Sequence, residues 1–400
     1  MFNNEINLNI LKIIADLKIK PSDFMHIFKI KKDLNQAVDY FFTKEKNSLR
    51  LFKESHSKVP ASDKMASCLQ YLAKSNSFML NISQKEYPEL LREIYFPPPL
   101  LFCKGKKIIS ENNLKIAIVG TRNCSDYGQE AAAYISRELS KIGFTIVSGM
   151  ALGIDKTAHL TAIKEAGGSI GVLGTGIDIE YPYENKKLYN EIIENGGLVT
   201  EFLPGTPPLK INFPARNRII SGMSIGVVVI EAGEKSGAVV TAKSAIRENR
   251  EVFAVPGSIF SDKSKGCHRL IKSGAKLIEN IDDILEELSN YIKNPKYKNS
   301  INLDIVENLE NSFTGKRLNT ALDGNHKNNQ NSLRKITPKD FPDEDYFKVY
   351  GCIGFKEKSL EEIIKTTCLN INKVLQIISY FQLKNIVIEN SFNNFIKVFY

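Results

Sequence analysis

Apolar side chains at the start of the chain recur three and four residues apart. Ile6, Ile10, Ile13, Ile14 and Leu17 share one helical face, Pro21-Ser22 interrupts, and Phe24, Ile27, Phe28 and Ile30 begin a second face. The pattern predicts a small helical domain over 1–80, of the SAM or helix-hairpin-helix kind. Over 83–105 it gives way to Tyr87-Pro88 and the triple proline Pro97-Pro98-Pro99, which cannot continue a helix. That stretch reads as an extended connector leading to Leu100-Leu101-Phe102.

From Lys115 the period changes. Short β-branched runs alternate with helical stretches, the signature of strands joined by crossover helices. Candidate strands are 116–119, 145–147, 170–173, 198–200, 227–230, 252–255 and 276–278. These runs are mostly apolar throughout rather than alternating, as expected of a sheet buried on both faces. The fold class is therefore α/β: an extended Rossmann-like, mostly parallel sheet over 83–290, flanked by the helical N-terminal domain and a C-terminal winged helix. After a helix at 281–288, the segment 291–342 is rich in Asn and Lys without sustained period and reads as a disordered linker. Over 343–400 order returns. Ser359-Leu360-Glu361-Glu362 is a capping box, Asn370 caps the next helix, and 386–389 and 395–399 flank a polar turn. Helix, helix, helix, hairpin is the order of a winged helix, with a small helical bundle as the alternative.

Composition narrows the function. Lys and Arg number 54 against 45 Asp and Glu, a net charge of +9 that favours a polyanionic partner. The six cysteines are scattered with no Cys-x-x-Cys, which argues against a zinc knuckle or a disulfide framework and fits a reducing compartment. Met1-Phe2-Asn3-Asn4-Glu5 is not the start of a signal peptide, and no apolar run approaches the ~20 residues that span a bilayer. The expectation is a cytoplasmic protein without membrane contact, metal or other cofactor.

In an open parallel sheet, ligands bind beyond the carboxyl ends of the strands, where loops present backbone N–H groups. Gly120-Thr121-Arg122 follows the first parallel strand, and Ser148-Gly149 through Gly153-Ile154-Asp155 follows the second and enters a helix. Helix starts offer N–H groups and partial positive charge to phosphate. Gly174-Thr175-Gly176 follows the third strand. Beyond it, Tyr181-Pro182-Tyr183-Glu184-Asn185-Lys186-Lys187 sets two lysines beside aromatic rings, the pairing that single-strand binders use, with Tyr183 or a neighbour to stack a base. Phe213 to Gly222 adds Arg216, Asn217 and Arg218, and Ser236-Gly237 through Thr241 opens another helix. The candidate phosphate-binding set is thus Gly120, Thr121, Arg122, Ser148, Gly149, Gly153, Lys186, Lys187, Arg216, Asn217, Arg218, Ser236, Gly237 and Thr241. One of Arg216 and Arg218 is expected in a buried ion pair instead, with Glu231 or Asp155 as partner.

This ordered series, with Asn217-Arg218-Ile219-Ile220 and Val255-Pro256-Gly257-Ser258, resembles the DNA-processing protein A (DprA/Smf) family over 83–288. The resemblance implies a non-enzymatic homodimer. It would bind single-stranded DNA without sequence preference and load a RecA-type recombinase onto it during natural transformation or related recombination. It also implies DNA contacts from Arg122 and from Lys186 or Lys187, and dimer and recombinase contacts within 256–275. There this chain reads Gly266-Cys267-His268-Arg269, where family members commonly have a small residue and Asn after the glycine.

Other chemistries fit less well. Asp155 and His159 have a spacing that suits a metal, but no further His/Cys cluster completes a site, so Asp155 reads as a helix-start cap and His159 as a packed imidazole. Gly167-Gly168-Ser169-Ile170-Gly171 matches a nucleophile elbow yet opens a strand instead of following one. Neither a phosphate-binding P-loop nor a Gly-x-Gly-x-x-Gly fingerprint is present. The rival reading is a nucleotide phosphoribohydrolase-like enzyme, whose Pro-Gly-Gly-x-Gly-Thr-x-x-Glu motif is matched only by Lys235-Ser236-Gly237 to Thr241, without the glutamate. The third helix of the C-terminal module offers a single cation, Lys373, which favours protein docking or self-association over duplex reading. The N-terminal helical domain likewise reads as an interaction module.

Overall fold

The structure is a computed structural model that describes residues 5–15, 19–48, 61–105, 113–297, 301–302, 343–353, 358–367, 369–383, 387–389 and 394–397. The chain forms two compact units, Met1–Thr320 and Ala321–Tyr400.

The first unit begins with helices α1 (Glu5–Ala15), α2 (Pro21–Lys31), α3 (Leu34–Ser48) and α4 (Ala61–Lys74). Ile10, Leu11, Phe24, Val38 and Leu72 of these helices share one core with Met79, Leu101 and Phe102 of two strands absent from the sequence reading, β1 (Ser77–Asn81) and β2 (Leu100–Lys104). Asn7 Nδ2 donates to the Met79 carbonyl (3.2 Å) and Asn81 Nδ2 donates to Asn7 Oδ1 (2.7 Å), so α1 is latched to the edge strand.

A short helix, α5 (Glu89–Arg92), precedes β2. The alternating part then runs β3 (Lys115–Val119), α6 (Asp126–Ile142), β4 (Thr145–Ser148), α7 (Ile154–Ala162), β5 (Ser169–Val172), α8 (Lys186–Asn195), β6 (Gly197–Thr200) and α9 (Asn212–Gly222). It continues through β7 (Gly226–Val229), α10 (Gly237–Arg247), β8 (Glu251–Ala254), α11 (Lys265–Lys272), β9 (Lys276–Leu277), α12 (Asp282–Glu287) and α13 (Ser289–Ile292). All seven strands expected here form, within one residue at each start. The nine-stranded sheet has the order β1-β2-β6-β5-β4-β3-β7-β8-β9, with β1 and β2 antiparallel and the rest parallel. Ala117 and Val119 of β3 point into one core layer while Ile116 and Ile118 point into the other, which explains why the run is apolar without alternation. The winding reverses at β3, with β4 on one side and β7 on the other. This is the switch point beyond which open α/β sheets bind ligands.

The expected linker starts too early. α13 runs to Ile292, Pro295–Tyr297 makes a 3-10 turn, Ile292 and Ile301 are buried, and the Asn302 N–H donates to the Ile142 carbonyl (2.7 Å). These apolar residues close the core beside the end of α6, so they belong to the first unit. The rest of that segment, 298–300 and 303–342, lies outside the described residues. Among the described residues no helix is long and apolar enough to cross a membrane.

The second unit holds α14 (Glu344–Cys352), β10 (Lys358–Ser359), α15 (Leu360–Thr367), α16 (Ile371–Leu383), β11 (Val387–Glu389) and β12 (Asn394–Lys397), with sheet order β10-β12-β11. Its own core contains Val349, Ile353, Ile363, Val374, Ile377 and Phe381. The capping box forms as read: the Ser359 N–H donates to Glu362 Oε2 (3.0 Å) and the Glu362 N–H to Ser359 Oγ (3.3 Å). Asn370 Oδ1 accepts from the Lys373 N–H (2.8 Å), capping α16.

Candidate nucleic-acid interface

Because β3 to β9 are parallel, the loops after β3, β4, β5, β6, β7 and β8 all lie along one rim. Helix α9 ties that rim together. Its first turn carries Phe213, whose ring lies 5.6 Å from the Arg122 guanidinium and 5.5 Å from the Tyr181 ring. The same ring packs over Gly174, where a Cβ would sit 2.8 Å from Phe213 Cδ1. One turn on, Arg216 Nη1 donates to the Gly149 carbonyl (2.8 Å) and to that of Val172. Asn217 Nδ2 donates to the Gly237 carbonyl (3.3 Å), and Arg218 pairs with Glu201 at 2.5 Å. One helix thereby fixes the ends of β4, β5 and β6 and the start of α10.

The interior of the rim is a closed polar network. Arg216 is 5% exposed; burial pulls its guanidinium down to about 10, with the Asp155 charge opposing. Burial pushes the Asp155 carboxyl up, while Arg216 and the N–H groups of Ala151 and Gly149 pull the other way. Asp155 Oδ2 accepts from the Gly149 N–H (3.0 Å), so it ties down the preceding loop rather than capping the helix that it begins. His159 is fully buried. Ser169 Oγ donates to the Ile146 carbonyl (2.8 Å), so His159 Nδ1 must donate to Ser169 Oγ (2.7 Å), and Nε2 accepts from the Met150 N–H (3.3 Å). The ring is a neutral tautomer with both nitrogens engaged, its pKa lowered to about 3, first by burial and then by Arg216. Ser169 is equally enclosed, which leaves its hydroxyl no route to a substrate.

The exposed rim carries the cations. Arg122 is exposed on the turn after β3. That turn is held twice by Glu231: the Thr121 N–H donates to the Glu231 carbonyl (2.7 Å), and Ser125 donates from N (2.9 Å) and Oγ (2.5 Å) to its carboxylate. Gly153 has a φ of +72°, and a Cβ there would lie 2.7 Å from the Arg122 carbonyl carbon. Only glycine lets the β4–α7 loop support the arginine so closely. Across the rim, Tyr181-Pro182 is a cis peptide, and Asn185 Nδ2 donates to the Met150 (2.8 Å) and Ala151 (3.3 Å) carbonyls. This anchors the start of α8, where Lys186 and Lys187 are exposed. Lys186 Nζ stands 5.7 Å from the Tyr183 ring, which is 74% exposed, while Lys187 reaches back 4.0 Å to Glu191.

The structure therefore divides the predicted set. Arg122, Lys186 and Lys187 face solvent, Gly120, Thr121, Gly153 and Ser236 are half-buried, and Gly237 is exposed. Arg216 and Asn217 are buried struts, and Arg218 is mostly buried against Glu201, not against Glu231 or Asp155. Ser148 Oγ donates to the Ile118 carbonyl (2.6 Å) and Thr241 Oγ1 to the Gly237 carbonyl (3.1 Å), so both are internal. The N–H groups of Thr121 and Gly149 are taken by protein acceptors. Ser236 Oγ caps α10 by accepting from the Val239 N–H (3.4 Å). Phe213 and Glu231 take roles that sequence reasoning did not give them: one is the ring joining Arg122 to Tyr181, and the other, read as an arginine's partner, is the clamp behind Arg122.

A sequence profile of the family described as DNA recombination-mediator protein A matches residues 78–289. The DNA processing protein DprA of Bacillus subtilis is 46% identical over 207 residues, 52% of this chain and 70% of that protein. Protein Smf of Borreliella burgdorferi is 32% identical over 302 residues, 74% of this chain and 90% of that protein. Among solved structures, DNA processing protein A (DprA) from Streptococcus pneumoniae aligns with a TM-score of 0.59 at 34% identity, over 72% of this chain and 99% of that one. With the profile covering more than half of its length, the chain belongs to the DNA recombination-mediator protein A (DprA/Smf) family.

Proposed function

We propose that this protein acts in DNA recombination by holding single-stranded DNA along the rim and handing it to a RecA-type recombinase in the cytoplasm. Family membership and relatives named DNA processing proteins support the role in DNA processing. The observation that carries the single-strand reading is the Arg122–Phe213–Tyr181 contact chain, with the Lys186–Tyr183 pair across the rim. Cations neutralise phosphates while aromatic rings stack bases of any sequence.

Replacing Arg122, Lys186 and Lys187 together by Glu should abolish binding of an oligothymidylate in a gel shift without changing the melting curve. Unchanged affinity would remove these residues from the site. With three phosphate contacts, log affinity should fall with log salt at a slope of about 2 from these residues alone, roughly 0.7 per contact.

We read the protein as non-catalytic. The buried imidazole and hydroxyl of His159 and Ser169 are saturated by protein, and the 236–241 turn offers no titratable group. Incubation with nucleoside monophosphates should release no free base. Dimerisation is proposed through the open sheet edge at β9, where Leu277 is 41% exposed; sedimentation of the Leu277→Arg variant as a monomer is the expected result. The second unit is read as a winged helix that docks protein. Lys373 of α16 is tied to Asp343 (3.0 Å), and the exposed side chains on that helix include the apolar Ile371 and Leu375.

A further inference from the structure

The loop after β8, residues 256–264, carries two large apolar side chains in solvent: Ile259 is 74% and Phe260 91% exposed. The loop is well tethered. Tyr127 Oη donates to the Pro256 carbonyl (2.7 Å), and His268 Nε2 donates to that of Gly257 (3.0 Å). The Phe260 N–H donates to Ser258 Oγ (3.2 Å), and the Ser264 N–H to the Ser261 carbonyl (3.1 Å). A benzyl group is thus held out by a fixed backbone.

Its place in the fold gives it a partner. β8 lies two strands from β3, about 10 Å along the rim at ordinary sheet spacing. Two hydrogen bonds make the rim continuous between them: the Thr121 N–H to the Glu231 carbonyl (2.7 Å), and the Ala232 N–H to the Lys263 carbonyl (2.6 Å). Lys235 and Lys263 stand on these two loops, and among the described residues neither makes an ion pair, whereas Lys265 is neutralised by Asp262 at 2.6 Å. An exposed ring on a loop that also carries a cation outside any ion pair offers the two elements, ring and cation, found in the Lys186–Tyr183 pair on the other side of Arg122.

We propose that Phe260 is a base-stacking post on which a single strand leaving Arg122 continues across the ends of β7 and β8. This rests on the reading of the rim as a single-strand site, and it names where a longer strand goes.

The chain contains no tryptophan, so Phe260→Trp places a single indole at the post. Titrating that variant with oligothymidylates of increasing length should quench its emission once the strand is long enough to pass Arg122. Phe260→Ala should bind long oligonucleotides roughly tenfold more weakly while keeping the affinity of the wild type for short ones. Indole emission unchanged at DNA saturation, together with wild-type affinity of Phe260→Ala at every length, overturns the proposal. So does a change of oligomeric mass in Phe260→Ala, measured by light scattering without DNA, if DNA affinity is unaltered; the loop would then serve a protein contact. If the wild type itself binds no single strand, the rim reading fails first and takes this inference with it.

Discussion

Gly128→Ala reverses the usual sign of a helical glycine substitution. Gly128 lies in the first turn of α6, and alanine in a helix normally gains about 1 kcal/mol over glycine. Here the added Cβ would sit 2.6 Å from Glu231 Cδ and closer still to Oε2. Glu231 is 4% exposed and its carboxylate accepts from Ser125 N and Oγ, while Ser125 Oγ in turn caps α6 by accepting from the Gly128 N–H (3.1 Å). It cannot move aside without breaking both charge-assisted bonds, each worth about 1.5–3 kcal/mol. Subtracting the propensity gain leaves a destabilisation of about 2–5 kcal/mol. At about 2 °C per kcal/mol for a unit of this size, the melting temperature should fall by roughly 4–10 °C. Urea denaturation of Gly128→Ala, Glu231→Ala and the double variant isolates the cause. In the Glu231→Ala background the clash is gone, and the alanine should be neutral or mildly stabilising. The same displacement loosens the turn that presents Arg122, so single-strand affinity should drop in Gly128→Ala as well. A Gly128→Ala protein that melts at or above the wild-type temperature refutes this account of Glu231 as a clamp.

How much of this was legible in the sequence depended on how far apart in the chain the physical causes lie. The seven parallel strands are short, mostly apolar runs bounded by Gly and polar residues, and both their faces are buried, so local composition was enough. β1 and β2 were not legible. Ser77–Asn81 is separated from α4 only by the two-residue turn Ser75-Asn76, where Asn76 has a φ of +54°, and Leu100–Lys104 follows directly on the triple proline, so neither announces a strand until β1 pairs with β2 and β2 with β6. The cationic loops were legible as an edge, because topology carries every βα loop to the same rim. Which cations face outward was not. Arg216 and Arg218 are two residues apart on α9, and their inward orientation is set by Asp155, Glu201 and the Gly149 carbonyl, all distant in sequence. Phe213 did leave a signal, an aromatic residue opening a helix among the candidate loops. Glu231 was legible as an acid with an internal partner but not as the clamp behind Arg122, since that partner, Ser125, lies 106 residues away.

The buried and exposed arginines should separate experimentally. Arg216→Lys keeps the charge but loses the fork that reaches two carbonyls, so the urea midpoint should fall while oligothymidylate affinity per folded molecule holds; the reverse pattern would make Arg216 a ligand contact. In the second unit, Asp343 Oδ1 caps α14 by accepting from the N–H groups of Asp345 (2.9 Å) and Tyr346 (3.2 Å), and Asp343→Ala should lower that unit's urea midpoint. The acid limb of stability reports on His159. Its ordinary pKa of 6.5 falls to about 3 in the fold, so below pH 6.5 the unfolded chain binds a proton that the folded protein refuses. Stability that is whole above pH 6.5 is therefore lost as pH falls toward 3, with this one group contributing about 1.4 kcal/mol per pH unit. His159→Gln carries no titrating proton at this position, so whatever the substitution costs at neutral pH, its stability should fall less steeply than the wild type's across that window. Parallel acid limbs in urea titrations of the two proteins would mean that the imidazole exchanges protons freely in the fold, and that the Ser169–His159–Met150 chain does not hold it neutral.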